Sequence, residues 1–151
     1  MSANQRDLGS YVKFAPGGAV DATAAGAGDA TKITGDAIDR LAAGGPFESA
    51  VVHINWRTSL TAAKTLSLAL EVQESADNSN WDTAVALFAA TVVATGEQTA
   101  LDGVTEYDDV DFYTRKRYVR YNVTPDLSHT ATDTAIVAYG AVLGGAAKTP
   151  V

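Results

Sequence analysis

The chain has 151 residues, no cysteine and a formal net charge of −7 at pH 7. The length fits one domain, the lack of cysteine excludes disulfides and thiolate metal sites, and the acidic charge opposes direct binding to nucleic acid or anionic lipid. Hydrophobic residues make up 46% and charged residues 19% of the sequence, a composition typical of a folded globular protein rather than a disordered one.

The first ten residues, MSANQRDLGS, are polar and lack the apolar core of a secretory signal. No apolar run in the chain approaches the roughly 18 residues that a membrane-spanning helix needs. We therefore expect a protein that is neither exported nor inserted into a membrane.

Residues 15–30, APGGAVDATAAGAGDA, are small and rich in glycine. Ordering such a segment costs backbone entropy, while its side chains offer little surface to bury. The pattern predicts that residues 1–30 form a flexible or extended N-terminal arm, which could become ordered on a neighbouring subunit. Residues 31–151 are then the folded domain.

The next segment, residues 34–44 (TGDAIDRLAAG), has a possible cap and a glycine stop, which fits either one helical turn or a short strand. After it the pattern changes, because Ala50, Val52, Ile54 and Trp56 alternate with a second set of neighbours. This is the period of a half-buried strand, and it places Trp56 on the core face.

A second strand is predicted at residues 66–73, where every second residue from Leu66 to Val72 is a large aliphatic one. The sequence SADNSNWDT follows and supplies the polar residues of a hairpin or short loop. Gly96 and Gly103 are predicted as later breaks between short strands. Those short strands are predicted at residues 85–88, 91–94 and 98–101.

Two further strands complete the predicted fold. Residues 118–123 alternate in the strand period, and Pro125 is predicted to end this strand because it cannot donate a ladder hydrogen bond. Residues 134–143 are almost continuously apolar, which predicts that both faces are covered, either by the partner sheet and a neighbour or by another subunit. Short strands without a long amphipathic helix indicate an all-β protein, an antiparallel β-sandwich of jelly-roll type.

Four acids, Glu106, Asp108, Asp109 and Asp111, precede the basic residues 115–117. Clustered carboxylates could bind calcium, but the spacing lacks the DxDxDG signature and its glycine. The alternative is a solvated turn whose acids pair with the basic residues across a bend. A paired-carboxylate glycosidase site is a further possibility, although no acid is marked as the proton donor.

The sequence contains no set of residues that an enzyme mechanism would need. His53 is predicted on the polar side of a strand and His129 in a polar loop, both without the partner spacing of a metal site or a catalytic triad. There is no GxSxG elbow, and the glycine pairs lack the context of a phosphate loop. We expect a protein that is not an enzyme and that needs no metal or other cofactor.

Three residues are candidates for a protein interface. Tyr118 and Arg120 share one face of a predicted strand, and Trp81 lies at the edge of a loop. Tyrosine, arginine and tryptophan are the residue types enriched at interface hot spots. Trp81 could instead stack on a sugar ring, as in a carbohydrate-binding module, which is the alternative use of the same residue.

Two segments, LSLALEVQESADNSNWDTA (residues 66–84) and KRYVRYNVTPDLSHTATDTAIVAYGAVLGG (residues 116–145), resemble the small jelly-roll capsid cement, or decoration, proteins of tailed bacteriophages and prophages. In those proteins a strand, an S-x-D-x-x-x-W turn and an RYVR strand lead to a final apolar strand. The resemblance covers roughly the last two-thirds of the chain and leaves residues 1–30 unmatched.

The resemblance implies a virion structural protein that binds the outside of an assembled capsid and clamps neighbouring subunits of the major capsid protein. It further implies a homo-oligomer, dimer or trimer, that is made in the host cytoplasm and resides on the capsid surface without direct contact to nucleic acid or membrane. The alternative function is a carbohydrate-binding or receptor-recognition module of a phage tail or fibre.

Overall fold

The computed structural model describes residues 12–42, 46–97, 100–128 and 132–145, and its regular structure is almost entirely β-strand. One 3-10 turn spans Phe112–Thr114, and nothing helical in these ranges is long and apolar enough to cross a membrane. The strands in these ranges are β1 (Lys13–Thr23), β2 (Ile33–Thr34), β3 (Ile38–Asp39), β4 (Ser49–Ser59), β5 (Thr65–Ser75), β6 (Val85–Thr95), β7 (Ala100–Asp109), β8 (Tyr118–Leu127) and β9 (Thr134–Gly144).

The strands form two antiparallel sheets that enclose one core. Sheet A has the order β1-β9-β4-β7, and sheet B has the order β2-β8-β5-β6, with β3 also paired to β8. Every connection crosses from one sheet to the other, except those within the β2–β3 and β5–β6 pairs. This connectivity is that of a jelly roll, and it confirms the predicted all-β antiparallel sandwich.

The core lies between the sheets and is lined by alternate residues of the long strands. Leu66, Leu68 and Leu70 are fully buried from sheet B, and Val52 and Ile54 are fully buried from sheet A. Burying a side chain of this size contributes roughly 1.5–3 kcal/mol to folding. The alternation predicted for these two strands is therefore the alternation that builds the core.

Strand β9 is flanked by β1 and β4 within sheet A. Its inward residues Ala135, Val137 and Tyr139 are buried against sheet B, whereas the outward Ile136 is 53% exposed. The predicted cover is therefore present on the inner face, while the outer face is exposed at Ile136 and partly covered nearer the end of the strand, where Gly140 is buried.

The N-terminal segment differs from the predicted arm. Residues 13–23 form β1, which pairs with β9 along its whole length and belongs to the sandwich. Its inward residues Ala15 and Ala22 are buried. The small side chains permit close packing on sheet B, and the ladder of main-chain hydrogen bonds offsets the cost of ordering. Residues 1–11 of the predicted arm lie outside the described residues.

Strands β6 and β7 are longer than the sequence pattern predicts. β6 is continuous over the two predicted strands, and its register against β5 shifts at several points. Gly103, predicted as a break, lies inside β7 directly opposite Trp56. A side chain at this glycine would collide with the indole ring, so the glycine serves packing rather than chain reversal. Residues 98–99 lie outside the described ranges.

Strand β8 continues past Pro125, which is predicted to end it. The carbonyl oxygen of Pro125 accepts a hydrogen bond from the amide of Ala30 at 2.9 Å, and the amide of Leu127 donates to Asp29 Oδ1 at 2.8 Å. These partners lie in the loop before β2, on the side of β8 away from β5. Because N and C=O of one strand residue point to the same side, the missing N–H of Pro125 falls outside the β5 ladder.

The segment predicted as a helical turn or a short strand contains the short strand β3, in which Ile38 lies opposite Val119. Ile38 is buried, so this strand contributes to the core. Residues 43–45 of the segment lie outside the description.

The assignment of the core predicts a large difference between two leucines. Leu68→Ala should lower the free energy of unfolding by about 2–5 kcal/mol, because it removes fully buried volume from the centre of the sandwich. Leu41→Ala removes the same atoms from a side chain that is 52% exposed, and it should change stability by less than about 0.5 kcal/mol. Urea unfolding followed by circular dichroism compares the variants, and equal losses would contradict the assignment.

Candidate functional site

The charged residues around the β7–β8 connection form a buried ion cluster, made of Asp109, Arg115, Glu74 and Tyr121. Arg115 donates from Nε to Asp109 Oδ2 at 2.7 Å and from Nη2 to Asp109 Oδ1 at 2.8 Å, which makes a bidentate pair. The Nη1 atom of Arg115 donates to Glu74 Oε1 at 2.9 Å. The Asp109 side chain is 2% exposed and that of Arg115 is 10% exposed, so water screens this pair little.

Tyr121 completes the ion cluster from β8. Its hydroxyl donates to Asp109 Oδ2 at 2.7 Å. Burial and the adjacent Asp109 carboxylate raise the pKa of Tyr121 well above its usual range. Burial alone would lower the pKa of Arg115, but the hydrogen bonds and charge of Asp109 raise it overall. The cluster therefore joins β7 of sheet A to β5 and β8 of sheet B.

Arg40 holds the chain between β7 and β8 from the other side. Its Nη2 donates to the carbonyl oxygens of Tyr113 at 2.8 Å and Phe47 at 3.3 Å, and its Nη1 donates to the carbonyl oxygen of Arg115. The guanidinium carbon lies 5.2 Å from the centroid of the Phe112 ring. Burial lowers the pKa of Arg40. These contacts fix the path of the chain into β8.

The four predicted acids do not act as one group. Glu106 and Asp108 point outward from β7 and are exposed, Asp109 points inward and is buried, and Asp111 is exposed beyond the strand. In the part of the chain that the structure describes, no three His, Asp or Glu side chains are placed to hold a metal ion. Three of the acids for which a solvated turn is the predicted alternative lie in strand β7, and Asp111 lies beyond its end.

The basic residues pair with acids, as the turn hypothesis expects, but only one pair spans the bend. Arg115 pairs with Asp109. In contrast, Lys116 Nζ donates to Asp82 Oδ1 at 2.9 Å. Arg117 Nη2 donates to Asp39 Oδ2 at 2.8 Å. The last two pairs are exposed and screened by water, so they add little to stability. The charges of this stretch are mainly structural.

The predicted interface residues lie on the outer face of sheet B. The guanidinium carbon of Arg120 is 4.1 Å from the centroid of the Trp81 ring. Its Nε donates to Gln73 Oε1 at 3.0 Å, and the same oxygen accepts from Asn122 Nδ2 at 3.0 Å. Gln73 Nε2 donates to the carbonyl oxygen of Asp82 at 3.0 Å. The indole and the amide hold the guanidinium in one orientation.

Tyr118 lies beside this pair. Ser75 is opposite Tyr118 in the β5–β8 ladder and forms an isolated bridge with Trp81 on its other side, so the two aromatic residues flank it. The Arg117 guanidinium carbon lies 5.0 Å from the Tyr118 ring centroid. The structure thus brings all three predicted residues to one face, as two neighbouring cation–π pairs. We call this set the outer-face cluster: Gln73, Trp81, Arg117, Tyr118 and Arg120.

The outer-face cluster has hydrogen-bonding capacity to spare. In the described ranges, the two terminal nitrogens of Arg120 donate to no other residue. Its Nε donates to Gln73, and one face of its guanidinium lies on the Trp81 ring. A guanidinium held in this way presents a planar edge that fits a carboxylate or a pair of carbonyl oxygens. The arrangement is suited to binding a polar partner surface.

Two members of the outer-face cluster, Gln73 and Arg117, are not among the predicted interface residues. Gln73 lies opposite Arg120 in the register of β5 with β8. Both strands are predicted, but their register is not, so the pairing of Gln73 with Arg120 is visible only in the structure. Arg117 belongs to the basic run of residues 115–117, but its stacking on Tyr118 depends on where β8 begins.

The remaining candidate residues have structural surroundings. Trp56 is on the core face as predicted, half-buried, and its Nε1 donates to Thr105 Oγ1 at 3.3 Å. His53 lies on the outer face of sheet A, with Nδ1 3.0 Å from Glu106 Oε1. His129 lies outside the described residues.

No protein-family model matches the sequence, and no curated protein matches it. The fold is similar to that of a chain in the structure of the infectious bursal disease virus Gx strain, with a TM-score of 0.52 and 11% identity over 91% of this chain. For a chain of the VP2 subviral particle of the same virus, the TM-score is 0.47 and the identity is 10% over 90% of this chain. For the CBM22-1 xylan-binding domain of Paenibacillus barcinonensis Xyn10C, the TM-score is 0.39 and the identity is 14% over 91% of this chain.

The alignments cover 33% and 32% of the two virus chains, so this chain spans about a third of their length, and 88% of the xylan-binding domain. At these identities the likeness concerns the fold alone. The chain therefore shares a β-sandwich fold with about a third of the first virus chain, for which the TM-score is above 0.5.

The ion cluster predicts a specific loss of stability. Asp109→Ala should lower the free energy of unfolding by about 3–5 kcal/mol, because it removes the bidentate partner of a largely buried arginine. The matched control is Asp108→Ala, which removes an exposed acid from the adjacent position and should cost less than about 0.5 kcal/mol. Chemical unfolding at neutral pH measures both, and a similar effect of the two substitutions would show that Asp109 has no special role.

The raised pKa of Tyr121 predicts how the stability of the fold changes at alkaline pH. An unfolded tyrosine ionises near pH 10, whereas burial and the Asp109 carboxylate raise the pKa of Tyr121 in the folded chain, so stability is full below about pH 10 and falls above it. Tyr121→Phe removes this contribution, and its melting temperature should fall less steeply above about pH 10. Tyr113→Phe, at an exposed tyrosine, should keep the wild-type slope, and thermal melts across this range make the comparison. Identical slopes in all three proteins would exclude Tyr121 as the source.

Proposed function

We propose that this chain is a capsid cement, or decoration, protein, which binds the outside of an assembled bacteriophage capsid and clamps neighbouring subunits of the major capsid protein. The outer-face cluster carries this proposal, since Arg120 is fixed against Trp81 beside Tyr118 on an accessible sheet face. These are the residue types that dominate the energetics of protein interfaces. The likeness of the fold to part of a chain in a virus structure supports the same assignment.

Preorganisation is the physical basis of this docking face. A free arginine side chain loses rotamer entropy when it is immobilised at an interface. The indole and Gln73 already hold Arg120 in place, so less entropy remains to be lost on binding. The partner group that fits its free edge is a carboxylate or a pair of carbonyl oxygens on the capsid surface.

Many copies of a small domain would act together on a shell. Each copy needs only a modest interface, because multivalent attachment through clamped neighbours converts weak single contacts into a large total gain. The proposed location is the capsid surface, reached after synthesis in the host cytoplasm. A net charge of −7 supports contact with protein rather than with nucleic acid or an anionic membrane.

We further infer that the chain acts by binding and not by catalysis. Three buried titratable groups, Asp109, Arg115 and Tyr121, are bonded to one another in the ion cluster. Groups that are locked in this way support the fold and are not poised to exchange protons with a substrate.

The competing function is a carbohydrate-binding or receptor-recognition module of a phage tail or fibre, which would also use Trp81. A sugar ring stacks on the face of an indole. Arg120 already covers one face of Trp81, which favours a protein partner over a sugar.

Arg120→Ala should weaken binding to capsids by about thirtyfold, the equivalent of about 2 kcal/mol for an interface hot spot. The measurement is co-sedimentation of the purified chain with capsids assembled without it, over a range of chain concentrations. Saturating wild-type chain should also raise the melting temperature of the capsids.

The matched control is Arg57→Ala, an exposed arginine on the outer face of sheet A, which should bind as the wild type does. Capsids that are equally stable with and without bound chain would refute cementing. Selective binding on a glycan array that is lost in Trp81→Ala would favour the carbohydrate-binding function instead.

A further inference from the structure

The two sheets have edge strands that differ in how they are protected against pairing with another chain. Exposed edges are usually blunted by charge, proline, bulges or short length. In sheet A, β1 contains Pro16 and an irregularity beside it, and β7 carries outward acids, among them Asp102 and Glu106. In sheet B, β2 and β3 are two residues long. Proline, charge or short length is therefore present at each of these three edges.

The remaining edge, β6, is different. It is 11 residues long, VALFAATVVAT, and contains neither a charged residue nor a proline. Among the residues that the structure describes, only β5 pairs with β6, and Val85 and Val92 are exposed. Its register shifts against β5 add twist, but they place no charge along the free side. The unpaired N–H and C=O groups of such a strand are a template for another strand.

We propose that β6 pairs antiparallel with β6 of a second copy of this chain, to form a two-fold dimer with one continuous sheet. The chain carries a net charge of −7, so most approaches of two copies bring acids together. Pairing through β6 is the approach in which the facing strands carry no charge, whereas pairing through β7 would oppose acids. A self-complementary strand is also what a two-fold interface requires.

The chemistry of the edge selects an extended strand as the occupant, and the exposed valines add side-chain burial to the ladder. Val92 lies opposite Ser67 in the register of β5 with β6 and points to the outer face of sheet B, beside the edge. This dimer would form whether or not the chain binds a capsid, so it goes beyond the proposed function.

Sedimentation-velocity ultracentrifugation of the full chain across micromolar concentrations tests the proposal. The wild type should sediment as a dimer. Val92→Lys should raise the dissociation constant at least about tenfold, because each of the two paired edge strands would then carry a lysine, and lysine on an edge strand opposes strand pairing. The control is Val104→Lys, on edge strand β7 of the other sheet, since both valines are 55% exposed. It should remain dimeric, and melting temperatures verify that both variants are folded.

Hydrogen exchange of the wild type gives a second reading that needs no substitution. Amides of β6 should become more protected as the concentration rises, and those of β7 should not. Ala90→Lys, at another exposed position of β6, replaces Val92→Lys if that variant does not fold. A monomer at all concentrations, a trimer, or equal dissociation by Val92→Lys and Val104→Lys would overturn the proposal.

Discussion

The bidentate pair between Asp109 and Arg115 is the constraint on which the arrangement of the outer surface depends. It joins the end of β7 in sheet A to the chain that enters β8 in sheet B. Glu74 extends the pair, since it accepts both from Arg115 and from the amide of Lys116 at 2.7 Å. The start of β8 is thereby fixed against β5. The position of every side chain that β8 projects outward, including Arg120, therefore depends on where β8 starts.

A buried ion pair is a costly way to obtain stability, because its two groups give up their hydration. The aliphatic core between the sheets supplies the main driving force for folding. The ion cluster instead specifies geometry, because a shift of β8 by one residue would separate Arg115 from both carboxylates and turn the core side chains of β8 outward. The dense charge between β7 and β8 therefore reflects the demands of register rather than those of catalysis.

The sequence predicts the strands whose two faces differ most in polarity, and it misses those whose inward side chains are small or polar. β4 and β5 are predicted because large aliphatic residues alternate with smaller or polar ones. β1 is hidden because its core side chains are alanines, and β7 is hidden because Gly103 and Asp109 occupy inward positions. Tyr118, Arg120 and Trp81 can be selected by residue type and strand face. Their contacts depend on the β5–β8 register and on the loop after β5, which local periodicity does not contain.

The proposed dimer and the proposed docking face belong to the same sheet, and their geometry is connected. When two edge strands pair antiparallel to continue a sheet, the two-fold axis is perpendicular to the sheet, so both copies keep their outer faces on the same side. Two outer-face clusters would then face one surface, separated by the paired β6, β5 and β8 strands of the two copies. A dimer of this form could contact two neighbouring capsid subunits at once, and the second contact would be intramolecular. Clamping would then follow from pairing through an uncharged edge, without a second binding site on either chain.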